Sequence, residues 1–159
     1  NLSNLFSGGK VISFKDKIIV HSNNFTHVLN SNNGSMYFKK NFIPKVPPIA
    51  NNNFLFLISE KNFLIVTNLQ SGEILFSYNI NDKISNFLKS KKKVFEPKNL
   101  FLVNGKILVF LKSSHILSFD LKGNLEDVRK IPIKINSNPI FVNDSILFLD
   151  NKNKITVIN

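Results

Sequence analysis

Apolar positions along this chain come in short runs broken by Asn, Asp, Gly, Ser or Lys. The runs at 11–14, 18–20, 54–58, 63–66, 74–76, 100–103, 107–111, 140–142 and 146–149 are rich in Ile, Val, Phe and Leu. None extends into a long stripe of period 3.6, so the pattern predicts an all-β chain. The one stretch with helical character is 83–95, K-I-S-N-F-L-K-S-K-K-K-V-F, and it is short and weakly amphipathic.

The runs recur with a period. Asn30, Asn68, Asp120 and Asn159 each follow an apolar run, at spacings of 38, 52 and 39. The long middle spacing contains residues 82–97, which read as an insertion. Two-residue hairpin turns predicted at Asp16-Lys17, Asn52-Asn53, Asn104-Gly105 and Asn143-Asp144 keep nearly the same spacing. So do Pro48, Pro97 and Pro139, placed where a strand begins and a missing N–H breaks no ladder bond. The second unit reads as four strands: 49–50, 54–58, 63–68 and 73–78. Its short connections make neighbouring strands antiparallel. Gly34, Gly72 and Gly123 close the last turn of their units and are predicted at positive φ.

Such a unit cannot stand alone. F-L-F-L-I at 54–58 is apolar on both faces, so both must be covered, as when four-stranded sheets stack around an axis. About 40 residues per four strands fits a β-propeller blade. A β-sandwich with coincidental spacing is the alternative, and three markers sharing one period favour the propeller. The chain thus reads as a single partial β-propeller domain over 1–159, with about four blades visible at approximately 10–43, 47–81, 98–134 and 138–159. Four blades with the last incomplete imply roughly half of a larger ring.

Composition changes this picture little. The formal net charge is +11, which suggests a polyanion partner. However, Arg129 is the only arginine among 21 basic residues, and Arg is the residue suited to bidentate base and phosphate contacts. Asn occurs 25 times. Lys, Asn, Ile and Phe share A/T-rich codons, so the charge follows composition, and no nucleic-acid partner is expected. The sequence has no Cys, which excludes disulfides and thiolate metal sites. It has no apolar run of about 18 residues. It shows no initiator Met or signal peptide, so any targeting segment is expected upstream.

The stretches V-T-N-L-Q-S-G-E-I-L-F (66–76) and H-V-L-N-S-N-N-G-S-M-Y-F (27–38) resemble the pyrroloquinoline-quinone-type propeller repeat. In that pattern an apolar strand is followed by Asp or Asn, an apolar residue, two variable residues, Gly, and a strand ending in Trp. Phe38 and Phe76 stand at the Trp position. The third copy, L-S-F-D-L-K-G-N-L-E-D-V, lacks one turn residue and the aromatic. Within that superfamily the chain resembles the BamB family of propeller lipoproteins of the outer-membrane β-barrel assembly machinery. The resemblance implies an eight-bladed ring without a cofactor. Such a ring would be a scaffold on the periplasmic domains of the barrel-inserting subunit, at the periplasmic face of a Gram-negative outer membrane. Membrane attachment would come only through a lipid anchor outside this chain. The sequence departs from the family in lacking Trp and about half the blades.

Candidate chemistry is sparse, and the chain is read as a non-enzyme. His21, His27 and His115 form no H-x-x-x-H motif and read as ordinary strand or loop residues. Asp120 and Asp150 read as turn caps. Glu126 and Asp127, adjacent on a strand, point to opposite faces and make no acid/base pair. Gly8-Gly9-Lys10 lacks the rest of a phosphate loop. A quinoprotein dehydrogenase, the enzymatic alternative, would need a Trp platform, a calcium site and a catalytic Asp, and the chain has no Trp. A generic propeller interaction module is a further alternative. No metal or cofactor ligands are assigned. The one candidate partner-binding element is the insertion, with Lys89, Lys91, Lys92 and Lys93. It reads either as a solvated loop or as a contact for acidic protein surfaces or anionic headgroups.

Overall fold

The computed structural model describes residues 11–22, 24–89, 91, 94–143 and 145–158. The described residues form four antiparallel sheets and one helix. Blade 1 comprises β1 (Ile12–Phe14), β2 (Lys17–Ser22), β3 (Phe25–Asn30) and β4 (Met36–Lys40). Blade 2 comprises β5 (Ile49–Asn51), β6 (Phe54–Ile58), β7 (Phe63–Asn68) and β8 (Ile74–Asn79). Helix α1 (Ile80–Phe87) follows. Blade 3 comprises β9 (Pro97–Val103), β10 (Lys106–Leu111), β11 (His115–Phe119) and β12 (Leu125–Lys130). Blade 4 has three described strands: β13 (Ile140–Val142), β14 (Ser145–Leu149) and β15 (Ile155–Ile158). Every sheet is a meander in which each strand pairs with its neighbour in sequence. The chain divides between Ile80 and Asn81 into two compact units.

The sheets pack face to face within each unit, in one repeated way. Strand registers align Ile12, Ile19, Val28 and Phe38 across blade 1, here its forward face. Ile19, Val28 and Phe38 pack against Leu55, Leu57 and Ile65 on the rear face of blade 2. In the second unit, Phe101, Leu108, Phe110 and Ile116 of blade 3 pack against Phe141, Ile146, Phe148 and Ile158 of blade 4. The rings of Phe101 and Phe141 meet edge-on with centroids 5.0 Å apart. The central strands are apolar on alternating and on consecutive positions because both of their faces are covered. Each Leu or Ile so buried contributes on the order of 2 kcal/mol.

Turns recur with the blades. Residues 15, 52, 104 and 143 open the hairpin between the first two strands, and all have φ between 48° and 54°. In three blades this residue is Asn, which tolerates the left-handed region. In blade 1 it is Lys15, so the predicted Asp16-Lys17 turn sits one residue later than the observed Lys15-Asp16 turn. Lys17 opens β2 instead, with its ammonium 2.8 Å from Asp16 Oδ1 and 4.6 Å from the centre of the Tyr37 ring. Tyr37 Oη donates to Asp16 Oδ2 at 2.6 Å. The Lys17 bond, then the Tyr37 bond, hold the Asp16 carboxyl down at about 2. Asp144, predicted beside Asn143, lies outside the described residues, as does Asn159.

The turn between the third and fourth strands is built the same way in blades 1 and 2. Asn30 Oδ1 accepts from the amides of Asn32 and Asn33, and Asn68 Oδ1 from those of Gln70 and Ser71. The Gly34 amide donates to the Asn30 carbonyl and the Gly72 amide to that of Asn68, at 2.9 and 2.8 Å. In blade 3, one residue shorter, Asp120 Oδ1 accepts from Lys122 and Asn124. The glycines have φ of 73°, 71° and 81°, as the sequence predicts.

Candidate protein-interaction surface

The period of the repeat is broken between blades 2 and 3, and the break holds α1. The Ile80 amide donates to the Asn62 carbonyl at 2.9 Å, fixing the start of the helix to a blade 2 turn. Ile80 and Ile84 are fully buried and Ser85 nearly so. The helix ends with the Leu88 amide on the Ile84 carbonyl and with Lys89 at a φ of 47°. It therefore starts earlier and stops earlier than the 83–95 stretch with helical character. Five of that stretch's last seven residues are Lys or Ser, so the sequence offers no apolar face along which the helix could continue.

Beyond the helix the chain returns with the Phe95 amide on Asn81 Oδ1 at 2.9 Å. Glu96 meets Lys112 twice, as an ion pair at 2.6 Å and through its carbonyl to the Lys112 amide at 2.8 Å. Between these two anchors lie the exposed Phe87, Leu88 and Val94, the last 81% exposed. Lys89 and Lys91 are exposed beside them. Lys92 and Lys93 lie outside the described residues. Among the described residues the surface is therefore a mixture of apolar and cationic side chains, tied back to Asn81 of the helix and to the Lys112 turn of blade 3. The lysines were legible in the sequence, while Phe87, Leu88 and Val94 were not singled out within the stretch of helical character. Their signal was their position among lysines, where a buried face had no room to continue.

Other polar groups have local roles. His21 and Thr26 are buried opposite each other on β2 and β3. Thr26 Oγ1 donates to the Phe42 carbonyl at 2.7 Å, so it accepts from His21 Nδ1, 3.1 Å away. That leaves His21 Nε2 buried without a hydrogen-bond partner among the described residues. Burial first, then neighbouring His27, lower the imidazole pKa from its ordinary value. His27 faces Ser22, and His115 bonds Ser113. Asp150 caps its turn by accepting from the amides of Lys152 and Lys154, which lower its carboxyl pKa. Glu126 pairs with Lys106 at 3.0 Å, and Asp127 is exposed. Gly8, Gly9 and Lys10 lie outside the described residues. Among those described, no three His, Cys, Asp or Glu residues cluster as a metal site.

The first unit also has an open cleft of about 520 Å³, lined by Asn41, Phe42, Ile43, Glu60, Lys61 and Ile74 among others. It is broad and brings together one carboxylate and one ammonium with apolar walls. No helix among the described residues is long and apolar enough to cross a membrane.

No protein-family model and no curated protein matches the chain. Solved structures do. BamB from Moraxella catarrhalis superposes with a TM-score of 0.72 at 12% identity, over 94% of this chain and 42% of that one. The WD40 domain of SCAP from fission yeast superposes at 0.64 and 12%, over 94% and 41%. A europium-containing methanol dehydrogenase superposes at 0.58 and 12%, over 81% and 25%. The chain thus spans less than half the length of each. At these identities the likeness is one of fold, and the chain is a partial β-propeller of about four blades.

Proposed function

We propose that this chain is part of a non-catalytic propeller scaffold that holds a protein partner, in the manner of the BamB family. The observation that carries this reading is the anchored insertion, which presents Phe87, Leu88 and Val94 together with Lys89 and Lys91. Apolar side chains that stay exposed at the end of the helix and in the segment after it give a partner an apolar anchor. The lysines, with Lys92 and Lys93 next in sequence, add attraction for an acidic rim and speed encounter. The partner proposed, by resemblance, is the periplasmic region of the barrel-inserting subunit, met at the periplasmic face of an outer membrane.

The test is a titration of this chain against those purified domains at two salt concentrations. Charge reversal of Lys89, Lys91, Lys92 and Lys93 together should weaken binding at least tenfold at low salt and less at high salt. Phe87→Ser should weaken it at both. Binding indifferent to both changes and to salt would remove the insertion from the interface.

A second reading rests on the likeness to methanol dehydrogenase. In that case the chain would be part of a quinoprotein enzyme. It contains no Trp with which to stack a quinone; Asp120 and Asp150 accept from turn amides, and Glu96 and Glu126 form surface ion pairs. Dye-reduction activity on added quinone and calcium, lost on mutation of an acidic residue, would establish that reading instead.

A further inference from the structure

Blade 3 carries a cavity of about 250 Å³ beside its first two strands, and its charged walls are all of one sign. Lys98, Lys112 and Lys134 line it, together with Ser114, Phe110 and Ile135. None of the described residues around it is acidic. Lys98 Nζ donates to the Ile135 carbonyl at 2.6 Å, which uses one of its three protons and ties β9 to the segment entering blade 4. Lys112 is held by Glu96 at 2.6 Å, and Lys134 is exposed. Three ammoniums against the one carboxylate of Glu96 leave two positive charges in excess. The cavity is closed by β9, the turn between β10 and β11, and the segment entering β13, so it is built inside the chain and at neither of its ends.

The fold does not call for these lysines. The turn after the second strand is built alike in blades 2 and 3: Asn62 and Ser114 both have φ of 60°, and their amides donate to the Ser59 and Leu111 carbonyls. Glu60 of blade 2 therefore stands where blade 3 has Lys112. The segments entering blades 2 and 4 match as well, with Pro44 bridged to Ser59 and Ile135 to Asp150. Ile43 thus stands where the later segment has Lys134. Lys makes up 20 of the 159 residues but three of the eight around this cavity. A concave site lined by one sign of charge between apolar walls concentrates the opposite charge.

We propose that this cavity takes an acidic peptide segment, with two neighbouring carboxylates among the three lysines and an apolar side chain against Ile135. The proposal deepens the scaffold reading and rests on it in taking the ligand to be protein. Two positive charges in excess match two carboxylates, and the apolar wall suits the hydrocarbon of a side chain, which a free ion would not use. The ion pair between Glu96 and Lys112 also ties down the insertion, so the cavity is continuous with the segment that exposes Val94.

Fluorescence anisotropy on the protein reads the binding of a labelled hexapeptide with two adjacent glutamates between phenylalanines, against its glutamine counterpart. The acidic peptide should bind more tightly, and the preference should shrink as salt rises. Lys134→Gln, on an exposed side chain, should weaken acidic-peptide binding about threefold, and Lys98→Met with Lys134→Gln about tenfold. Lys122→Gln, on the Asp120 turn at the opposite end of blade 3, removes the same charge and should leave binding unchanged. Circular dichroism checks that each variant folds. Binding that the cavity variants leave intact overturns the proposal, whether or not charge reversal in the insertion weakens it. An equal loss for Lys122→Gln overturns it too, because the attraction would then be one of net charge. So does displacement of the peptide by phosphate but not by acetate at equal ionic strength, which would assign the cavity to phosphate groups. A protein that does not prefer the acidic peptide ends the proposal but not the scaffold reading, which is tested separately on the domains of the barrel-inserting subunit.

Discussion

The forward faces of blades 1 and 4 use the same residue types at the same register positions. Ile19 and Val28 on one are fully buried, while Leu147 and Val157 on the other are half-buried and exposed. The sequence of a strand therefore states that a face is apolar, and only the neighbouring sheet decides whether that face adds stability or invites association. In a stacked-sheet fold the worth of a residue belongs to the contact between blades more than to the strand that carries it.

The sharpest way to separate the two faces is by truncation. Leu57, fully buried on the rear of blade 2 against Ile19 and Val28, should cost about 2–5 kcal/mol as Leu57→Ala. Val157→Ala, in dilute protein, should change stability by no more than about 0.5 kcal/mol. Urea denaturation gives both numbers. Equal costs would show that the forward face of blade 4 is covered in the dilute chain.

Glycine gives a second contrast, smaller but more specific. Gly34 and Gly72 end the same turn with φ of 73° and 71°. Gly34→Ala should cost only the strain of the left-handed region, about 1 kcal/mol. Gly72→Ala adds a clash with Phe38, whose Cγ lies 2.5 Å from the new Cβ, and should cost about 2–4 kcal/mol. Adding Phe38→Ala to Gly72→Ala should then recover part of the clash. Strict additivity of the two changes would remove the Phe38 contact from the account.

That contact marks the boundary of what the sequence made legible. The period, the four-strand units and the positive φ of Gly34, Gly72 and Gly123 follow from local chemistry and could be read in advance. Phe38 was placed at its position in the repeat, yet its neighbour Gly72 sits in the next blade and is found only when two sheets are stacked. The Lys15 turn was misplaced by one residue because an Asx residue is the stronger signal and here it stands second. In the insertion, lysines announce themselves by charge, while Phe87, Leu88 and Val94 look like core until the helix stops at Lys89. His21 was read as ordinary because a histidine without a partner at motif spacing carries no signal, and its partner Thr26 is found only across the β2–β3 pair.

The turn openers should show a smaller effect. Asn68 accepts two backbone amides through Oδ1, at 2.8 and 3.0 Å, on an exposed turn. Asn68→Ala should cost about 1 kcal/mol. Asn68→Asp should be within about 0.5 kcal/mol of the parent, because blade 3 builds its own turn on the carboxylate of Asp120. A large loss for Asn68→Asp, measured by thermal melting, would mean that the two turns are not equivalent.

The smallest effect distinguishes blades 1 and 2 by pH. His21 pairs with Thr26 across β2 and β3, where blade 2 pairs Ile58 with Leu64. Both sites are buried, so blade 1 holds a neutral imidazole where blade 2 holds hydrocarbon. Burial favours the neutral ring and lowers its pKa below the ordinary 6.5. Below about that pH the unfolded chain binds a proton that the folded chain resists. Stability should therefore be fully present above pH 6.5 and decline as the pH falls below it, until the folded state's own lower pKa is reached. His21→Ile, which copies blade 2, should flatten that decline. It keeps the Thr26 bond to the Phe42 carbonyl and removes a buried nitrogen that has no partner among the described residues, so it should not destabilise the protein at pH 7.5. Thermal melts of the parent and His21→Ile at pH 7.5 and 5.5 decide the matter. If both proteins lose the same stability on acidification, the titrating group lies elsewhere, and the His21 and Thr26 pair is no more pH-sensitive than its apolar counterpart.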